Sequence, residues 1–179
     1  MSTVGEDELI ERAKQGDGQA FAQLYDRYVP RVYRYVFYIV GESADAEDLT
    51  AQTFLKAWES IRRFKVMGRP FSAWLLRIAH NLAANQARRS QQGRATEKNW
   101  PLAPVASSPD EAQEECLRRK LLTRALSRLP PEQREVIVLR FIQGLGHREV
   151  AGILGKTVTA SRALQYRALV SLRAHLRHV

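Results

Sequence analysis

Residues 70–89 read Pro70-Phe-Ser-Ala-Trp-Leu-Leu-Arg-Ile-Ala-His-Asn-Leu-Ala-Ala-Asn-Gln-Ala-Arg-Arg89, and their spacing predicts a helix. Apolar side chains recur at Phe71, Trp74, Leu75, Ile78 and Leu82, the i, i+3, i+4 rhythm of one buried stripe. The opposite side carries Arg77, Asn81, Asn85 and Arg88. Cations mixed with side-chain amides suit phosphates and base edges. The plainer reading of such a pattern is a solvated basic face. The helix lies within residues 60–96, which hold eight Lys or Arg and no Asp or Glu.

Charge is segregated along the whole chain. Residues 1–59 carry 6 basic against 11 acidic side chains, residues 60–96 carry 8 against 0, residues 97–115 carry 1 against 5, and residues 116–179 carry 13 against 3. The total is +9 over 179 residues, which points to a polyanionic partner. Two basic blocks are thus separated by an acidic spacer. The single cysteine, Cys116, allows no internal disulfide and fits a reducing compartment. The longest apolar run, Val36-Phe-Tyr-Ile-Val40, is too short to span a bilayer, and the acidic N-terminus lacks a signal-peptide pattern. A cytoplasmic chain without direct membrane insertion is expected.

Outward from the basic helix, the pattern stays helical. Residues 8–15 are expected as a short helix with Leu9, Ile10 and Ala13 inward, and Asp17 suits the N-cap of the next one. That helix is expected over residues 19–40, kinked or broken at Pro30 and closed by Gly41. A third is expected over residues 45–63, with Asp45, Glu47 and Asp48 in its first turn, where negative charge favours the helix dipole. Its apolar side is Leu49, Thr53, Ala57 and Ile61, widened by Phe54 and Trp58, and its polar side is Asp45, Asp48, Gln52, Lys56 and Glu59. Residues 90–110 have no periodicity and are rich in Gln, Gly, Pro, Ser and Ala, so they read as an extended linker, with Trp100 an odd member. Beyond it, residues 111–127 are expected helical with Leu117, Leu121, Ala125 and Leu129 inward. Pro130-Pro131 separates them from a helix over residues 132–143, with Val136, Leu139 and Phe141 or Ile142 available for the core. The expected fold class is all-α, with two small helical domains, residues 1–89 and 115–179, on either side of the linker.

Residues 147–166 have the layout of a helix-turn-helix. A short helix carries small Ala151 where two helices must approach closely, Gly155 can take the positive φ of the turn, and a second helix presents Arg162, Tyr166 and Arg167. A plain αα-hairpin has the same outline, and the basic charge of this block favours DNA. Ser161 falls on the inward stripe with Leu164, Ala168 and Leu172, where a hydroxyl needs a partner such as the helix carbonyl one turn back.

Three segments, Asp45-Ala-Glu-Asp-Leu-Thr-Ala-Gln-Thr-Phe-Leu-Lys-Ala-Trp58, Phe71-Ser-Ala-Trp-Leu-Leu-Arg-Ile-Ala-His-Asn-Leu-Ala83 and Leu129-Pro-Pro-Glu-Gln-Arg-Glu-Val-Ile-Val-Leu-Arg140, occur in the order of regions 2 and 4 of bacterial RNA polymerase sigma factors, which they resemble. The short length resembles the extracytoplasmic-function (ECF) group of the sigma-70 family. The resemblance implies roles. Asp45, Asp48, Gln52 and Lys56 match the part of region 2 that docks on the clamp helices of the polymerase β′ subunit. Phe64 and the following loop, with Asn81, match the part that captures a flipped base of the −10 element, and Arg77, Arg88 and Arg89 would hold the backbone. Arg162, Ala163, Tyr166 and Arg167 match the positions facing the −35 element. Residues 132–141 resemble the helix that meets the β flap, and the linker would thread toward the active-site cleft. An anti-sigma factor, often membrane-bound, is the implied inhibitor. The family usually has Gly and then an aliphatic residue where this chain has Thr159 and Ser161, and often Asp where it has Asn85.

Other function classes are open to test. A stand-alone dimeric helix-turn-helix repressor or activator would bind duplex tightly by itself, whereas a sigma factor needs core polymerase. A nuclease using Asp45, Glu47 and Asp48 would need a metal, yet adjacent carboxylates at a helix start more often cap and solvate it. His175 and His178 lie in a basic tail without a Cys or carboxylate nearby. The sequence holds no Walker loop, Ser/His/Asp grouping or Cys/His cluster, so no catalytic residue, metal or cofactor is expected.

Overall fold

The computed structural model describes residues 5–65, 68–91 and 121–176. Trp100, Leu117 and nearly all of the expected linker lie outside the described residues. Among those residues every regular element is a helix. The helices are α1 (Glu6–Lys14), α2 (Gly18–Val40), α3 (Ser43–Ser60), α4 (Phe71–Gln91), α5 (121–127), α6 (Pro131–Ile137), α7 (His147–Leu154) and α8 (Val158–Leu176). A 3-10 turn, Ile61–Arg63, follows α3, and a π-helical stretch, Val138–Ile142, continues α6.

The expected caps form. The Asp17 carboxylate accepts from the Gln19 and Ala20 amides at 2.9 and 3.1 Å, filling donors that the first turn of α2 leaves open. These amides, the Ala20 bond foremost, and the Arg12 side chain hold its carboxyl below the usual carboxylate range. Gly41 ends α2 in the left-handed region at φ 82°. Of the kink or break expected at Pro30, the break does not occur: Pro30 lies within a continuous α2. It sits exposed above Asp26, itself exposed, so water can serve the carbonyl it strands. Leu24, Tyr28, Val32, Tyr35 and Val36 meanwhile hold the opposite side in the core. Helix α3 starts two residues earlier than expected, which leaves only Asp45 of the three acids in its first turn.

Helices α1 to α4 form one bundle, in which α2 packs on the other three. Helices α5 to α8 form a second, with α6 and α7 both against α8. One expectation fails in this second bundle: Leu121 is exposed, and the buried side is Thr123, Ala125, Leu126 and Leu129. Of Phe141 and Ile142, the two candidates for the core, Ile142 packs against it and Phe141 is exposed, while Val136, Ile137, Val138 and Leu139 are buried in succession. Four consecutive buried residues need neighbours on more than one side, and α6 with its π stretch has them in α8 and in α2 of the first bundle.

The two bundles meet along a seam, and their buried residues form one continuous cluster. Helix α7 lies against α4, and α6 with its π stretch lies against α2. This explains why α4 buries more than its predicted stripe. Phe71 and Leu75 face inward as expected, and Ala73, Leu76, Ala79 and Ala83 are buried too. Replacing Leu75, which is fully buried, with Ala should destabilise the chain by about 3 kcal/mol. Leu55→Ala at an exposed position should cost less than about 0.5 kcal/mol. Chemical denaturation followed by circular dichroism checks both.

Candidate nucleic-acid interface

Helix α3 presents the predicted polar face. Asp48 and Lys56 are exposed, Asp45 and Gln52 are half-buried, and the Gln52 amide donates to the Asp48 carboxylate at 2.7 Å. The face is not only polar. Leu55 is 59% exposed, and beside it Trp58 and Tyr25 lie partly in solvent. Phe21 and Phe54 support them, with ring centroids 4.9 Å apart for Phe21 and Trp58 and 4.6 Å for Tyr25 and Phe54. An apolar patch rimmed by carboxylates and amides has the make-up of a protein-docking surface. Leu55 was readable in the sequence, since it sits three residues after Gln52 and seven after Asp48, on the same helical face. Trp58 was expected in the core and is not there, because its ring closes over Phe21 at the rim.

On α4, Arg77, Asn81, Arg88 and Arg89 are all exposed, as expected. Phe64 is placed differently. It is 5% exposed, and its ring packs on Phe71 at 5.4 Å and Trp74 at 4.9 Å between centroids. It props the connector rather than standing free in solvent. The groups that do reach solvent there are cationic. Arg63, Lys65, Arg69 and Arg77 line a cleft of about 500 Å³ with Phe64, Trp74 and, from α7, Arg148 and Gly152. Five cations beside a half-buried indole offer phosphate contacts and a stacking platform in one place. Lys65 and Arg69 belong to the loop after Phe64 that the sequence already pointed to, whereas Arg148 was not foreseen, since only the fold brings α7 to the connector.

The helix-turn-helix is present. Gly155 takes φ 63° at the end of α7, and Thr157 caps α8 by accepting from the Ala160 amide at 3.1 Å. Leu164 and Ala168 are buried, so α8 has the expected phase, and Arg162, Ala163, Tyr166 and Arg167 are exposed together, Tyr166 by 71%. Its seat is reinforced by Arg140, whose Nε donates to Gln165 Oε1 at 3.0 Å and whose Nη1 donates to the Leu145 carbonyl. Desolvation, then the charges of Arg140 and Arg162, push the nearby His147 imidazole below its ordinary value, which favours its neutral form. Ser161 is fully buried as expected. Its hydroxyl has no hydrogen-bond partner, however; only its backbone N–H uses the Thr157 carbonyl, at 2.9 Å.

Residues 24–93 match the family Sigma-70 region 2, and residues 119–172 match Sigma-70, region 4. The chain belongs to the sigma-70 family, in its ECF group. It is 43% identical to the ECF RNA polymerase sigma factor BldN of Streptomyces coelicolor over 92% of this chain and 63% of that one. It thus spans under two thirds of that relative's length. It is 34% identical to the RNA polymerase sigma factor CarQ of Myxococcus xanthus over 92% of this chain and 93% of that one. The structure of CnrH in complex with the cytosolic domain of CnrY superposes with a TM-score of 0.72 at 29% identity, over 95% of this chain and 96% of that one. Among the described residues no cluster of potential metal ligands forms, and no helix is long and apolar enough to cross a membrane.

Within this sigma factor the unpartnered Ser161 hydroxyl should be a net cost. Ser161→Ala should raise stability by about 1 kcal/mol, because it removes a desolvated group that recovers no hydrogen bond. The shift in denaturation midpoint measures it.

Proposed function

We propose that this sigma factor binds core RNA polymerase and reads promoters in two parts, as −35 duplex and as melted −10 strand. The observation that carries the reading is the pair of cationic faces on separate bundles. Helix α4 exposes Arg77, Asn81, Arg88 and Arg89, and α8 exposes Arg162, Ala163, Tyr166 and Arg167. In this division residues 1–89 form the docking and strand-opening domain, residues 90–114 the linker, and residues 115–179 the duplex-reading domain. The arginines neutralise phosphates and supply affinity, whereas the Asn81 amide can discriminate base edges. Phe64 acts by fixing Trp74 and the connector against α4.

Core polymerase docks on α3 through Asp45, Asp48, Gln52 and Lys56, with Leu55 and Trp58 as the apolar centre of the contact. The β flap meets α6 and its π stretch, where Phe141 stands 57% exposed and available to a partner. Sigma factors are not enzymes, and the chain is assigned no catalytic step, metal or cofactor. It works in the cytoplasm with the polymerase. An anti-sigma protein that covers these faces is the natural inhibitor. The likeness to CnrH, solved bound to a cytosolic domain, supports a partner of which part lies in the cytosol.

In a reconstituted transcription assay Asn81→Ala should lower open-complex formation about tenfold or more while core binding stays intact. Normal melting by that variant would remove the strand-opening role of α4. Leu55→Asp should weaken the affinity for core polymerase by about tenfold, because it places a charge at the centre of the docking patch. Arg162→Ala should weaken −35 recognition by about 1–3 kcal/mol. An unchanged −35 preference would show that α8 sits on DNA by another face.

A further inference from the structure

We propose that the cleft between the connector and α7 is a binding site for a free nucleoside polyphosphate, with the base on Trp74 and the phosphates among the cations of the two walls.

The cleft draws its charge from both bundles. Arg63, Lys65, Arg69 and Arg77 line one side, and Arg148 lines the α7 side. All five are exposed, and none of them pairs with a carboxylate among the described residues. Glu149 is the one acid in the lining, and its carboxylate already accepts from the Gly146 amide at 2.6 Å. Five like charges around a single acid repel one another, and a polyanion set between them removes that cost.

Charge alone would suit any polyanion, and the indole narrows the class. Trp74 is half-buried in the cleft lining, and Phe64 and Phe71 fix its ring, with centroids at 4.9 and 5.3 Å. A ring held in this way offers its open surface to a planar base. Inorganic phosphates have no group to place there.

Small residues leave room for such a base. Gly152 lies within α7, where glycine weakens a helix relative to alanine. A methyl group added to it would meet nothing within 4 Å. No packing contact therefore requires the glycine, and its effect is to keep the α7 wall of the cleft bare. Gly68, on the connector, also borders open space. The cleft measures about 500 Å³, within the range of small-molecule sites.

A single strand running along α4 calls on Arg77, Asn81, Arg88 and Arg89 and has no use for α7. Arg148 and Gly152 instead give the space a second wall, which suits a short polyphosphate. The nucleotide site does not depend on the strand assignment of α4, and its failure would leave that assignment standing. Because the ligand touches both bundles, it should also raise the thermal midpoint of the whole chain.

The test uses the full chain in magnesium-free buffer. Isothermal titration calorimetry should show a single site for ATP or GTP, about tenfold tighter than for inorganic tripolyphosphate, the difference that one stacked base supplies. In a Trp58→Phe/Trp100→Phe background, which leaves Trp74 as the remaining tryptophan, ATP should quench the indole fluorescence and tripolyphosphate should not. Arg148→Ala should weaken ATP binding about tenfold, the loss of one charge-assisted contact. Gly152→Leu fills the space without altering charge, and should weaken ATP binding at least as much with an unchanged far-ultraviolet circular dichroism spectrum. No binding, equal affinity for ATP and tripolyphosphate, or full affinity in Gly152→Leu would each overturn the site. Binding that survives both substitutions and is lost in Arg88→Ala/Arg89→Ala would put the nucleotide on the strand face of α4, and the cleft site would fall.

Discussion

Helix α2 is buried from two directions, and the rest of the structure is arranged to satisfy it. On one side Leu24, Val32 and Val36 hold the first bundle together. On the other, the π stretch and α6 come from more than ninety residues away to cover its C-terminal half. That half ends in carbonyls with no helical partner, and Arg134 supplies a donor to one of them. Burial lowers the proton affinity of this guanidinium, but an arginine stays charged, and a buried charge is tolerated only where acceptors surround it. The Ile39, Leu126, Ser127 and Leu129 carbonyls do so. The α2 end therefore needs Arg134 as much as Arg134 needs the carbonyls.

The same arrangement links packing to function. Each proposed contact face uses a side of a helix that the packing leaves over. Helix α3 buries Leu49, Thr53 and Phe54 and turns Asp48, Leu55 and Lys56 outward. Helix α8 buries Leu164 and Ala168 and turns Arg162 and Tyr166 outward. Helix α4 is the exception, because α2 and α3 cover one side and α7 borders another. The side chains proposed to meet nucleic acid, Arg77, Asn81, Arg88 and Arg89, emerge along the edge that remains.

Much of this was legible in local patterns. Caps and stops were readable because they depend on one or two residues: Asp17 for its carboxylate, Gly41 and Gly155 for their left-handed φ. The phase of α8 was readable from Leu164 and Ala168. Failures cluster where a second partner intervenes. Pro30 could kink or break a helix on its own chemistry, and α2 runs on through it because its opposite side is anchored by Leu24, Tyr28, Val32 and Val36. Leu121 was expected inside on helical spacing, and the packing of α5 in the second bundle turned it out. Between Phe141 and Ile142 the helical period did not choose; the packed bundle took Ile142.

The candidate site divides in the same way. The helices, their amphipathic faces, the two basic blocks and the chemistry of Arg77, Asn81, Arg162 and Tyr166 were readable from residue order alone, because these follow from composition and a 3.6-residue period. The packing of the helices settled that Phe64 is a buried prop, that Trp58 lies at the rim and not in the core, and that Arg148 lines the same cleft as Arg77. Those facts depend on contacts between elements tens of residues apart. No local period encodes such contacts; they arise when apolar faces compete for the same buried surface, and a buried guanidinium must find enough carbonyls to stay charged.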